Sequence, residues 1–207
     1  MHWHIPKVVP EAHDKVFELA PPPPPAQGSL PPGFALLRAG MRACHIPPER
    51  LPWAVHAGDP RYSEVLDSAI DVWNQGALQL GRGALFVRVD DPQAADLELR
   101  WSDPRLPRDK AGATWWGLSE GGRRVLGLSL DGSFRVPQGN RVQILAHELG
   151  HVLGLGESQQ PGDMMFFQMD RRRLTPSQVR LSDRDLQALL WLYTQPTFAP
   201  IRGRRER

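Results

Sequence analysis

The sequence predicts an α/β (α+β) domain behind an irregular front. Three observations carry this. Apolar residues recur at helical spacing in three stretches, around 62–75, 140–153 and 182–193. Five short runs of strand composition stand between the first two of these or just ahead of them, bounded by Gly, Pro and Asp. Thirteen of the 21 prolines fall in residues 1–60, including the run Pro21–Pro25, where fixed φ and missing donors favour extended chain over packed elements.

Taken in chain order, residues 1–33 read as a tail. Residues 34–52 read as one short helix followed by a Pro-bounded loop. Trp53–Ala57 is a strand. Tyr62–Gln75 places Val65, Leu66, Ala69, Ile70, Val72 and Trp73 on one helical face, with Gly76 as its stop. Leu85–Val89 is a strand closed by the Asp90–Asp91–Pro92 turn. Asp96–Trp101, Ala113–Leu118 and Arg124–Leu130 are three more. Asn140–Leu153 is a helix with Val142, Leu145, Leu149 and Val152 on one face. Ser182–Tyr193 is the last helix, its Ser182 and Asp185 spaced as a capping box. These elements divide the chain into a Pro-rich tail over 1–50, one domain over 51–195 and a charged C-terminal tail over 196–207.

Composition excludes several classes. The chain has 207 residues, enough for one domain with a tail, and a single cysteine, so no internal disulfide framework exists. Net charge is only +2, and 22 of the 25 basic residues are arginine. That is a weak signal for nucleic acid, and a reading of Arg171–Arg173 as a nucleic-acid contact has little support. No apolar run approaches the roughly 18 residues a membrane helix needs. The first residues, MHWHIPKVVPEAHD, lack the apolar core of a signal peptide, so the chain as written reads as cytoplasmic.

The chemistry concentrates in residues 147–151, His-Glu-Leu-Gly-His. Histidines at i and i+4 share one helical face and can hold one cation, for which zinc suits neutral imidazole. Glu148, beside the first histidine, is placed to act as general base toward an attacking water. Gly154 can take a left-handed conformation, end the helix and turn the chain back. The seven histidines include none beyond 151, so a third ligand downstream must be acidic. Glu157 is the first candidate and Asp163 the second. A His₂Glu set is a legitimate zinc site, and its lower formal charge makes the metal a weaker acid than three imidazoles would.

This segment resembles the metzincin zinc peptidases, and the wording HELGHVLGLG is close to the matrixin family in particular. His147, Glu148, His151 and Gly154 match the H-E-x-x-H-x-x-G core of the metzincin pattern. Position 157 departs from it, holding glutamate where the family usually has histidine. The resemblance implies a twisted, mixed five-stranded sheet with an active-site helix, a C-terminal helix and a cleft under an edge strand at Ala113–Leu118. It implies one catalytic zinc, Met165 as the Met-turn residue flooring the metal, and secretion from the cell. It also makes Cys44 a candidate thiol lock. Cys44 stands in Arg-Ala-Cys-His-Ile-Pro, where matrixin zymogens have Pro-Arg-Cys-Gly-Val-Pro.

Two lesser features have plainer readings. Pro21–Pro25 is a spacer before it is an SH3-type ligand. Asp90, Asp91 and Asp96 fit no calcium loop, so no structural calcium is derivable, and they read as turn carboxylates. The function expected is a monomeric zinc metalloendopeptidase that takes a peptide or protein substrate along the edge strand, without nucleic acid or membrane. Phe166 and Phe167 are candidates for an apolar substrate pocket or for the core. The alternative is a weak or inactive zinc-binding descendant acting as a binding module.

Overall fold

The computed structural model describes residues 29–108, 110–119, 121–132, 136–168, 172–195 and 197–204. Thirteen elements follow in order: β1 (Phe34–Leu36), β2 (Arg38–Ala39), β3 (Arg42–His45), β4 (Trp53–His56), α1 (Ser63–Gln79), β5 (Phe86–Val89), β6 (Leu97–Trp101), β7 (Gly112–Ser119), β8 (Gly122–Leu130), α2 (Gln138–Leu153), β9 (Leu155–Ser158), α3 (Asp183–Tyr193) and β10 (Ala199–Arg202). The expected mixed five-stranded sheet is present as β5-β4-β6-β8-β7, with β4, β5, β6 and β8 parallel and β7 antiparallel to β8.

The sheet is wider than expected. On the edge of β8 opposite β7, β6 takes Leu128–Leu130 and β10 takes Arg123–Arg124, so two strands share one edge. β10 pairs in turn with β3, and β3 with β2. Residues 34–45 therefore form strands where a short helix was expected, and 199–202 form a strand within the expected tail. The departures share a cause: β1, β3 and β10 pair with partners more than 70 residues away, of which local pattern carries no trace, while β2 pairs locally with β3. β1 pairs antiparallel with β9, clear of the main sheet.

α1 and α2 pack together against the sheet. α1 buries Val65, Leu66, Ala69, Ile70, Trp73 and Ala77, each large member contributing about 1.5–3 kcal/mol. The fully buried Trp73 donates its indole N–H to the Ala146 carbonyl of α2 at 2.7 Å. Gly76 does not stop α1, which runs on to Gln79. A Cβ there would stand 2.5 Å from Leu181 and 2.8 Å from Leu186, so glycine serves the close approach of the segment that leads into α3.

In β8 an extra residue, Leu126, bulges between the pairs Trp115–Gly127 and Trp116–Val125. The bulge keeps both Val125 and Leu128 in the core. The register shifts by one residue at the bulge, and β7 stays paired with β8 on both sides of it, with Gly112 and Thr114 on the face toward α2. No helix among the described residues is long and apolar enough to cross a membrane.

Candidate functional site

The site lies where α2, β7 and β9 meet. α2 carries His147 and His151 one turn apart, their rings edge to face at 4.7 Å. The helix ends at Gly154, whose φ of +111° is left-handed. That turn brings the Leu155 carbonyl back to His151, whose Nδ1 donates to it at 2.9 Å. His147 Nδ1 donates to the Met164 carbonyl, also at 2.9 Å. With the Nδ1 protons so engaged, both Nε2 lone pairs face outward together.

β9 then delivers Glu157. His147 Nε2 and His151 Nε2 each lie 3.5 Å from a different Glu157 oxygen. One ligand atom from each residue falls within 4.8 Å of the others, the single such cluster among the described residues. A tetrahedral zinc with ligands at about 2.0–2.2 Å sets its donors about 3.3–3.6 Å apart, so this donor set fits zinc. Burial pushes the Glu157 carboxyl up, but hydrogen bonds and charge from the two histidines outweigh it and hold it well below the usual range. Burial works against the His147 imidazolium, and the Glu157 and Glu148 carboxylates overcome it, leaving His147 above its ordinary value.

Asp163, the other candidate ligand, is engaged elsewhere. Its carboxylate accepts from Ser158 Oγ at 2.5 Å, from Ser182 Oγ at 2.8 Å and from Arg184 Nε at 3.1 Å. Arg184 also donates to the Pro32 carbonyl, so Asp163 ties the turn to α3 and to the segment entering β1. Met165 is fully buried and packs against Gly150, between the two histidine turns; a Cβ on Gly150 would overlap its sulfur. Cys44 is also fully buried, in β3, where burial pushes its thiol up and its carbonyl abuts Gly154. Cys44, the candidate thiol lock, is held by a core strand and lies outside the ligand cluster, where an incidental thiol is the plainer reading.

Glu148 is buried beside the cluster, its carboxylate against β7. Thr114 Oγ1 donates to Glu148 Oε2 at 2.6 Å. Among the described residues β7 pairs only with β8, which leaves its other edge free beside a cleft of about 930 Å³. Trp116, Phe166 and Phe167 line that cleft, as do Ala35–Leu37 of β1 and its exit. Asp91 accepts from Gln93 N at 2.8 Å and Asp96 from Ala54 N at 2.9 Å, as turn and strand-end carboxylates do. Pro21–Pro25 and Arg171 lie outside the described residues.

Sequence reasoning missed three contributors. Thr114 gave no signal, since one polar residue in an alternating strand is unremarkable. The wall built by β1 depends on a remote pairing. Asp185 is more than the expected capping-box partner of Ser182: fully buried, it also accepts from Met164 N at 2.7 Å and Met165 N at 3.2 Å. Burial pushes its carboxyl up against the effect of those donors. A hydrophobic turn placed before a capping box was the only available hint.

The comparisons agree with this geometry. No curated protein matches the chain. The matrixin family model matches residues 56–194, from the end of β4 past α3 and well over half of the sequence. The chain belongs to the matrixin family of zinc metallopeptidases.

Proposed function

We propose that the protein is a zinc-dependent endopeptidase, with zinc held by His147, His151 and Glu157 and with Glu148 as general base. The observation that carries this is the convergence of three ligand atoms within 4.8 Å, beside a buried glutamate and under a free strand edge. Zinc, when bound, supplies Lewis-acid polarisation of the scissile carbonyl and activation of a water. Glu148 takes the proton of the attacking water and passes it to the leaving amine. The edge of β7 binds the substrate as an added extended strand, backbone to backbone. Phe166 and Phe167 give the adjoining pocket an apolar wall. The Met165 floor and the two Nδ1 hydrogen bonds fix the ligand rings before a cation arrives. The reading includes one catalytic zinc, a monomer that acts outside the cell, and a peptide or protein substrate, with neither nucleic acid nor membrane as partner.

Glu157 favours one second reading, a weak or inactive zinc-binding module, because it lowers the charge of the site. Zinc stoichiometry and cleavage of a quenched peptide separate the two. We expect about one zinc per chain, lost in Glu157→Gln and retained in Asp163→Asn, and cleavage abolished in Glu148→Ala. An intact chain without zinc overturns the metal site; a zinc-loaded chain that cleaves nothing supports the binding module.

A further inference from the structure

We propose that Thr114 is a positioning residue that aims the Glu148 carboxylate; this rests on the reading of Glu148 as the base. Thr114 Oγ1 lies 2.6 Å from Glu148 Oε2 and 3.3 Å from the Glu148 backbone carbonyl. Both neighbours are acceptors, so the hydroxyl must donate, and its one proton goes to the nearer oxygen. A hydroxyl–carboxylate bond of this length is of the strong, charge-assisted kind.

The other half of the arrangement is a missing side chain. Gly112 is on the same face of β7, and a Cβ there would fall 2.9 Å from Glu148 Oε1 and 3.0 Å from its Cγ. One carboxylate oxygen is therefore held by a hydroxyl, and the other has room kept open beside it. A glutamate side chain has three rotatable bonds, and the reaction needs one of the orientations they allow. Thr114 is β-branched, with few rotamers of its own. Its strand is in register with β8 on either side, through Ala113–Ser129, Thr114–Leu128 and Trp115–Gly127. The carboxylate is thus aligned from the sheet while the histidines are aligned from α2 and its exit. Alignment of that kind lowers the barrier to proton transfer and leaves ground-state binding alone. The hydroxyl's one proton is committed to Glu148, so it has none to donate to substrate.

The test uses the full zinc-loaded chain with Thr114→Val, Thr114→Ala and Thr114→Ser, and a quenched peptide. We expect kcat to fall about tenfold in the first two with KM and zinc content unchanged, and Ser to recover most of it. A kcat unchanged in Val and Ala overturns the proposal, as does a rise in KM alone, which would mean the hydroxyl binds substrate. A second measurement is independent of turnover. In the metal-free chain the Thr114 hydroxyl proton should be resolved by NMR, protected from solvent exchange, and lost in Glu148→Ala. If the proton exchanges freely, the positioning contact does not exist. If the wild type binds zinc and cleaves nothing, the endopeptidase reading fails while the hydroxyl signal still decides the contact.

Discussion

Gly154→Ala strikes the turn that places Glu157, the proposed third ligand. At a φ of +111° an L-residue is strained by about 1–2 kcal/mol. A stiffer unfolded chain returns about 0.4–1 kcal/mol of that. The added methyl group overlaps the Cys44 carbonyl oxygen and lies 2.9 Å from its carbon and 3.2 Å from His45 Cα. All three atoms are backbone, so no rotamer change relieves the clash, and β3 or the end of α2 must yield. Overpacking of this kind costs about 1–3 kcal/mol. The net loss is about 1–4 kcal/mol, or a melting point lower by about 3–15 °C for a domain of this size. The displacement also breaks local support: Leu37 N donates to the Gly154 carbonyl at 2.9 Å, and Glu157 follows three residues later. Zinc affinity, measured by chelator competition, should fall about 10–100-fold, as it does when the supports of a ligand are lost. A variant that melts with the wild type and holds zinc as tightly refutes the reasoning.

Asp185→Asn should lower the melting point by about 3–10 °C, because one acceptor oxygen is replaced by a donor facing backbone N–H groups, at about 1–3 kcal/mol; a zinc affinity that also falls would locate the damage at Met164–Met165. His45 is stacked on Phe198 at 3.8 Å and buried, and burial, helped by Arg82, holds its pKa below 6.5 against its bond to the Ile46 carbonyl and the charge of Glu49. At this residue the unfolded chain therefore binds a proton first as pH falls, so the contribution of His45 to stability declines from about pH 6.5 downward. Melting curves at pH 7.5 and 5.5 should show a smaller acid loss in His45→Phe than in the wild type, and equal losses would sink the assignment.

What the sequence revealed and what it hid divide along the range of the interactions. The pair His147 and His151 was legible because one helical turn sets its geometry, and Glu148 because it adjoins them. The third ligand stayed open between Glu157 and Asp163 because the choice depends on how the chain returns after Gly154. That path is held by the β1–β9 pairing and by the bonds of Asp163 to Ser158, Ser182 and Arg184, none of which local pattern reveals. Gly76 looked like a helix stop because glycine commonly is one, whereas its role comes from Leu181 and Leu186, more than 100 residues on. Cys44 was a candidate lock only by the likeness of a short motif, and its burial in β3 comes from a pairing with β10 that the motif does not reveal. Thr114 needed coordinates, since nothing local distinguishes a threonine that meets α2 from one that meets solvent.

The shared edge of β8 has a consequence for synthesis. β10 is the bridge between β8 and the β2–β3 hairpin, and it joins Ala199 to Cys44. Until the ribosome has made residue 202, that hairpin has no place in the main sheet and half of one β8 edge has no partner. Pairings of such sequence separation form slowly. The segment that completes the sheet is thus translated after all three proposed ligand residues, and a nascent chain that already holds them still presents an open strand edge to its neighbours.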